Sequence, residues 1–121
     1  MKTRLTNLFN GYKQAFDDFD APAIAAHFQL PSIIVDVDGT QVYDTEKMLL
    51  EKFSTNCAAM KNMGYSGSQF KLLNFKKLGD SLLSVDLAWQ VQLDSGPFHF
   101  NGNYLCQLLN TDYLIVQAVV Y

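Results

Sequence analysis

The chain has 121 residues, of which 49% are hydrophobic and 17% are charged, so residues 1–121 are expected to form one compact domain. The net charge is −3, and no basic stripe is present that would bind nucleic acid. No segment approaches the roughly 20 consecutive apolar residues of a membrane span, and the first residues, MKTRLTNLFN, lack the apolar run of a signal peptide, so a cytoplasmic protein is predicted.

Motifs for metal, nucleotide or covalent chemistry are missing from the sequence. Cys57 and Cys106 lack CxxC spacing, and each is expected to be a buried thiol in a reducing compartment, although a disulfide between them stays open. His27 and His99 lie beside phenylalanines without metal-ligand spacing and are expected to be structural. There is no glycine-rich phosphate loop and no nucleophile elbow. We therefore expect no metal and no cofactor.

Two helices are predicted at the start of the chain. Apolar residues recur every three or four positions over residues 5–19, which predicts an amphipathic helix with an aromatic-rich face. Asp20 is the predicted N-cap of a second helix, with Pro22 in its first turn, where the missing N–H of proline costs nothing. We expect this helix to continue through Phe28 and to stop at Pro31.

A hairpin and a third helix follow. Residues 32–38 alternate between two sides of a predicted strand, and Asp38-Gly39 predicts a two-residue turn of type I′. Asp44 is the predicted cap of the third helix, and Gly64 is expected to end it in the left-handed conformation. The apolar face of this helix is expected to contain Leu49, Leu50, Phe53, Cys57 and Met60.

The second half of the chain is predicted to be all strand. Short turn sequences at residues 79–80, 94–96 and 110–112 separate four strands, which predicts an antiparallel meander. Gly102 lies inside the third of these strands and is predicted to mark a bend or bulge. The element order predicts an α+β fold, with three helices on one face of a strongly curved antiparallel sheet. Such a sheet, curled around the first helix, would form a cone-shaped cavity suited to a small molecule.

The order and lengths of these elements resemble the nuclear transport factor 2-like superfamily, with its cystatin-like fold, across essentially the whole chain. That superfamily includes ketosteroid isomerases, scytalone dehydratase, limonene epoxide hydrolase and the SnoaL-like polyketide cyclases. Ketosteroid isomerases carry a tyrosine on the first helix and a catalytic aspartate on the first strand, and Tyr12 and Asp36 fall in matching places, with Phe28 before the strand. The resemblance to the SnoaL-like and ketosteroid isomerase-like branch implies an isomerase, dehydratase or cyclase that acts on a small apolar carbonyl compound.

Tyr12 and Asp36 are therefore the candidate catalytic residues. Asp36 would abstract a proton next to a carbonyl, because a cavity-facing carboxylate loses solvation and its pKa rises. Tyr12 would donate its phenol hydrogen to the developing oxyanion. Alternatively, Tyr12 is a packed core aromatic and Asp36 is an exposed hairpin residue. The candidate binding residues are Phe16, Phe28, Phe53, Trp89, Asn103 and Tyr104.

One feature departs from the ketosteroid isomerase pattern. Those enzymes use a second acid on a later strand, and the corresponding segment here reads NGNYLCQ. Its register places either Asn103 or Tyr104 at that position, and each can donate a hydrogen bond although neither is an acid. The alternative to an enzyme is a non-catalytic ligand-binding or protein-interaction module of the same fold.

A homodimer is expected to form through the outer face of the sheet. The last strand, YLIVQAVVY, is apolar, and a second subunit is its simplest cover. The resemblance also implies homodimers. Asp86 and Gln90, on the polar face of the second meander strand, either line the cavity or lie on the outside, and we expect them to face solvent or the dimer partner. Trp89 on the apolar face is either a pocket wall or a core residue.

Overall fold

The computed structural model describes residues 2–121. Its helices and strands follow one another in the predicted order. The helices are α1 (Lys2–Asp17), α2 (Ala21–Ala25) and α3 (Glu46–Asn62). The strands are β1 (Phe28–Asp36), β2 (Gly39–Tyr43), β3 (Gly67–Leu78), β4 (Leu82–Leu93), β5 (Gly96–Leu109) and β6 (Asp112–Val120). The helices pack on one six-stranded sheet with the order β2-β1-β6-β5-β4-β3. The predicted α+β fold is confirmed.

The sheet is antiparallel at every junction except one. β3, β4, β5 and β6 form the predicted meander, and β1 and β2 form the predicted hairpin. β6 then pairs with β1 in parallel, so the last strand lies inside the sheet and β2 and β3 form its edges. This single parallel junction joins the hairpin to the meander.

The first two helices are joined by the three residues 18–20. The aromatic face of α1 is buried, and Phe9 of α1 packs against Tyr104 of the sheet with ring centroids 4.9 Å apart. Phe19 then takes a left-handed φ of 53°. The side chain of Asp20 accepts a hydrogen bond from the Ala23 N–H at 3.1 Å, which confirms Asp20 as the cap of α2.

The predicted extent of α2 is wrong at its end. The helix stops at Ala25, and Phe28 already belongs to β1. Phe28 pairs with Ile115 of β6, and the Ile115 N–H donates to the carbonyl of His27 at 2.9 Å. Pairing with a strand that is distant in the sequence therefore overrides the local helical pattern.

Two local predictions around the hairpin are also wrong. Asp36 pairs with Gly39, so the turn consists of Val37 and Asp38. Within residues 2–121, Gly39 is the hairpin residue with a positive φ, which excludes a type I′ turn. Thr45, not Asp44, caps α3, because the Thr45 hydroxyl accepts from the Met48 N–H at 3.3 Å.

At the other end of α3, the prediction for Gly64 is confirmed by its φ of 72°. Leu49, Phe53 and Cys57 are the buried residues of this helix.

The inner face of the meander forms the floor of the core. Residues of β4 alternate as predicted, and Leu83, Val85, Leu87 and Trp89 are buried. Gly102 is not a bulge, because β5 pairs through it without a shift and the irregularity lies between Leu105 and Cys106.

The two cysteines behave as expected. Cys57 and Cys106 are buried free thiols, so the disulfide that the sequence left open is not formed. No helix within residues 2–121 is long and apolar enough to cross a membrane.

Candidate functional site

A cavity of about 560 Å³ lies between α1, α3 and the inner face of the sheet. This volume falls within the range of small-molecule sites, about 300–1,000 Å³. Both candidate catalytic residues, Tyr12 and Asp36, belong to its lining. Of the candidate binding residues, the cavity is lined by Phe16, Phe28, Phe53, Trp89 and Tyr104.

Tyr12 projects from the buried face of α1 into an aromatic cluster. Its ring centroid is 5.0 Å from that of Phe16 and 6.0 Å from that of Tyr104. Burial raises the pKa of the Tyr12 phenol well above its ordinary value, and Tyr104 and Cys106 add to the effect. Tyr12 therefore keeps its proton at physiological pH and can act only as a neutral hydrogen-bonding group.

Tyr104 stands on the inner face of β5 and is fixed by Trp89. The Trp89 indole N–H donates to the Tyr104 hydroxyl oxygen at 2.9 Å. Burial raises the pKa of Tyr104, although the Trp89 hydrogen bond acts in the opposite direction. The hydrogen bonds within residues 2–121 include none in which Tyr12 or Tyr104 is the donor. Both phenols can therefore offer a proton to an acceptor in the cavity.

Asn103 does not share this position. Adjacent residues of a strand point to opposite faces, and the Asn103 amide lies on the outer face, where it donates to Asp86 at 2.7 Å and to Ser84 at 3.3 Å. Asn103 is absent from the cavity lining. Of the two residues that the sequence left open, Tyr104 faces the cavity, and Asp86 lies on the outer face as expected.

Asp36 forms an ion pair that the sequence did not predict. Its Oδ2 lies 2.6 Å from Nζ of Lys52 on α3, and its Oδ1 accepts from the Asp38 N–H at 3.0 Å. Burial alone would raise the pKa of Asp36, but the hydrogen bonds from Lys52 and Asp38 and the charge of Lys52 outweigh it and hold the pKa below its usual value. The predicted rise in the pKa is therefore wrong, because the carboxylate has a cationic partner.

A second carboxylate, Asp17, lies behind the cavity wall and contacts two residues that line it. Asp17 accepts hydrogen bonds from Lys13 at 2.5 Å, from the Tyr65 hydroxyl at 2.6 Å and from the Ser68 hydroxyl at 2.8 Å. Burial would raise the pKa of Asp17, but these three hydrogen bonds and the Lys13 charge lower it below its usual value. Tyr65 and Ser68 both line the cavity. This cluster ties the end of α1 to the start of β3.

The sequence contained only a partial signal for these polar groups. The Lys13–Asp17 pair has the i, i+4 spacing of helical ion pairs. Lys52, Asn56 and Met60 are spaced four residues apart and therefore share one face of α3, and all three line the cavity. The contacts that give these residues their roles span the fold and are not visible in local patterns.

The cavity opens through an apolar rim. Phe98 is 55% exposed and Met63 is 48% exposed, yet both contribute to the lining. Within residues 2–121, no group of three or more His, Cys, Asp or Glu side chains comes together as a metal site. The site is therefore an apolar chamber with polar groups at defined points.

An α+β domain whose helices and curved sheet enclose such a chamber has the nuclear transport factor 2-like architecture. Residues 3–121 match the model of a family described as NTF2-like protein (DUF6841), and the chain belongs to this family. The comparison with curated proteins found no match.

Solved structures show the same fold at low sequence identity. An NTF-2 like protein of unknown function from Shewanella oneidensis MR-1 is 14% identical, with a TM-score of 0.82, over 99% of this chain and 98% of that one. A domain of unknown function with a cystatin-like fold from Nostoc punctiforme PCC 73102 is 10% identical, with a TM-score of 0.79, over 98% and 75%. A ketosteroid isomerase-like protein from Erwinia carotovora atroseptica SCRI1043 is 11% identical, with a TM-score of 0.73, over 95% and 90%.

Proposed function

We propose that this protein binds a small, mainly apolar molecule in the cavity between α1, α3 and the sheet. The observation that carries the proposal is a chamber of about 560 Å³ with predominantly aromatic and aliphatic walls. Burial of apolar ligand surface against such walls provides about 25 cal/mol per Å² before the costs of association are subtracted.

The two phenols favour a ligand that carries a hydrogen-bond acceptor. Tyr12 and Tyr104 both keep their protons because burial raises their pKa values. A carbonyl-type oxygen in the cavity would accept a hydrogen bond from either group, and a purely hydrocarbon ligand would leave both donors without a partner.

The binding proposal is tested with a pair of matched variants on α3. Ala58 and Ala59 are both exposed, but Ala59 is part of the cavity lining and Ala58 is not. A panel of small aromatic ketones, phenols and acids is screened by thermal shift, since a ligand that binds only the folded state raises the melting temperature. We expect Ala59→Phe to reduce the shift by narrowing the cavity at its exposed side and Ala58→Phe to preserve it. The proposal fails if the whole panel leaves the wild-type melting temperature unchanged, or if Ala59→Phe and Ala58→Phe leave the shift equally large.

Proton abstraction is a second candidate function. It is supported by the presence of the Asp36 carboxylate and the Tyr12 phenol in the lining of one cavity. Asp36 would take a proton from the carbon next to a ligand carbonyl, and Tyr12 would stabilise the resulting enolate oxygen by a hydrogen bond. The ion pair with Lys52 weighs against this function, because a lowered pKa makes Asp36 a weaker base.

Deuterium exchange separates binding from catalysis. A ketone identified by the screen is incubated with the protein in D₂O, and exchange at the carbon next to its carbonyl is followed by NMR. A catalyst accelerates this exchange, and Asp36→Asn abolishes the acceleration while preserving the thermal shift. Exchange at the rate of the protein-free solution would leave binding as the function.

We further propose that the protein forms a homodimer through the outer sheet face. Support comes from neighbouring register positions of β1, β2, β5 and β6, which place together the outward residues Ile33, Val35, Val42, Leu105 and Val119. Sedimentation velocity at micromolar concentration is expected to show a dimer that Val35→Lys dissociates. The matched control is Val37→Lys in the hairpin turn, where the valine is already 97% exposed. A wild-type monomer would contradict the proposal.

We also propose a cytoplasmic location, supported by the two free cysteines, which persist in reducing compartments. Cell fractionation tests it, and recovery outside the cytoplasm would contradict it.

A further inference from the structure

Both oxygens of each carboxylate beside the cavity accept hydrogen bonds from protein groups. Asp36 uses one oxygen for Lys52 and the other for the Asp38 N–H. Asp17 uses one oxygen for Lys13 and the other for the hydroxyls of Tyr65 and Ser68. Asp17 is absent from the cavity lining, so at that end a ligand meets its partners Tyr65 and Ser68, whereas at the other end it meets the Lys52–Asp36 pair. The direction of each hydrogen bond determines what Lys52, Tyr65 and Ser68 can still offer.

At the Lys52 end, the cavity offers hydrogen-bond donors. An ammonium group has three N–H donors, and the hydrogen bonds within residues 2–121 assign one contact of Lys52, to Asp36. The remaining N–H groups can bind an acceptor on the ligand. The charge of Lys52 is already balanced by Asp36 2.6 Å away, so a ligand carboxylate at this point would be repelled by Asp36. A neutral carbonyl oxygen fits the site better.

At the Tyr65 end, the cavity offers acceptors. The ionised carboxylate of Asp17 can only accept hydrogen bonds. The Tyr65 and Ser68 hydroxyls therefore both donate their hydrogens to it, at 2.6 and 2.8 Å. Burial and the hydrogen bond to Asp17 raise the pKa of Tyr65, which keeps its proton in place. The two hydroxyl oxygens can then only accept from a ligand. A hydroxyl or N–H group on the ligand is the complementary partner.

The backbone positions that carry Lys52 and Tyr65 are separated along α3. Lys52 and Met60 both line the cavity, and eight residues of α-helix rise about 12 Å. Tyr65 follows beyond the end of this helix.

We propose that the ligand is an elongated apolar molecule with a neutral carbonyl at one end, bound by Lys52, and a hydroxyl or N–H donor at the other, bound by Tyr65 and Ser68. This inference rests on the proposed binding function and adds the class of ligand. It also assigns Lys52 and Tyr65 as specificity-determining residues that recognise opposite ends.

Matched biphenyls provide the test. Isothermal titration calorimetry compares biphenyl, 4-acetylbiphenyl, 4-hydroxybiphenyl, 4-acetyl-4′-hydroxybiphenyl and 4′-hydroxybiphenyl-4-carboxylic acid. We expect the compound with both the ketone and the hydroxyl to bind about tenfold tighter than either ketone or phenol alone, which is the size of one well-formed hydrogen bond to a buried or charged partner. The carboxylic acid is expected to bind more weakly than the corresponding ketone.

Two variants report the ends separately. Tyr65→Phe is expected to remove the advantage of the ligand hydroxyl and to retain that of the ketone, and Lys52→Met is expected to do the converse. Circular dichroism confirms that each variant is folded, and Lys52→Gln, which retains a neutral donor, is expected to recover part of the ketone advantage if Lys52→Met proves unstable.

The outcomes distinguish the inference from the function on which it rests. If every biphenyl binds with the same affinity, or if the acid binds more tightly than the ketone, the proposed ligand class is overturned while binding stands. If both variants weaken all the compounds equally, the assignment of ends is overturned. If no biphenyl binds although the screening panel raises the melting temperature, the proposed ligand class is overturned and binding stands. If neither set of compounds binds, the proposed binding function itself fails.

Discussion

Gly102 on β5 makes room for Tyr104, and its replacement by alanine tests that relationship. A Cβ atom at Gly102 would lie 2.4 Å from the Tyr104 hydroxyl oxygen and 2.5 to 2.6 Å from two of its ring carbons. Tyr104 cannot swing away, because it is 2% exposed, packs against Phe9 with centroids 4.9 Å apart, and accepts the Trp89 hydrogen bond. Gly102→Ala must therefore displace the ring into a filled core.

The expected loss follows from two contributions. Overpacking of a filled core costs about 1–3 kcal/mol, and loss of the Trp89–Tyr104 hydrogen bond costs about 1 kcal/mol. We expect Gly102→Ala to lower the free energy of unfolding by about 2–4 kcal/mol, which urea denaturation measures from the midpoint and slope. The shape of the cavity depends on the same ring, so ligand binding is expected to weaken as well.

A double-mutant cycle isolates the cause. In a Tyr104→Leu background the clashing ring is absent, and Gly102→Ala is expected to be neutral or stabilising by up to about 1 kcal/mol, because glycine inside a strand is unfavourable relative to alanine. A loss of the same size in both backgrounds would contradict the packing explanation.

Three further predictions concern the cap of α3, the Asp17 cluster and a buried thiol. Thr45→Ala is expected to cost about 1 kcal/mol of unfolding free energy and Asp44→Ala less than about 0.5 kcal/mol, and equal losses in urea denaturation would contradict the cap assignment. Because the folded-state pKa of Asp17 is lowered, its contribution to stability is complete above the unfolded value of about 3.9 and is lost as the pH falls through the folded value. Asp17→Asn should therefore lower the melting temperature at pH 7. The variant should also lose less stability than the wild type as the pH is lowered, and an unchanged acid profile in thermal melts would refute this. Burial raises the pKa of Cys106 to about 12, so its thiol is expected to react with a disulfide reagent only on unfolding, and rapid reaction in the native protein would exclude this environment.

Local sequence patterns were sufficient for most of the fold. The alternation from Leu83 to Trp89, the Asp20 cap and the left-handed Gly64 were predicted because neighbouring residues determine each of them. Phe28 was assigned to the wrong element because its partner, Ile115, belongs to the last strand and competes with the local helical pattern. Errors of this kind occur where long-range pairing overrides local preference.

The candidate site was predicted less completely than the fold. The Tyr12 position and the aromatic walls follow from which residues share a helix face or a strand face, and such sharing is periodic in the sequence. Tyr65 and Ser68 reach Asp17 across 48 and 51 residues. No period in the sequence encodes these separations, because they depend on how the end of α1 meets the start of β3.

Lys52 changes the chemistry expected of the residue that resembles a catalytic base. The position of Asp36 on the first strand was predictable, but its proton affinity depends on a lysine from another element, whose Nζ lies 2.6 Å away. An unpaired carboxylate in an apolar cavity would have a raised pKa and would act as a base near neutral pH. With Lys52 present, the carboxylate stays ionised and engaged, and the group left available to a ligand is an N–H donor. The same fold position therefore presents a proton acceptor or a hydrogen-bond donor according to one side chain on α3, which explains why resemblance around Asp36 identifies the fold and leaves the chemistry to the residue that faces it.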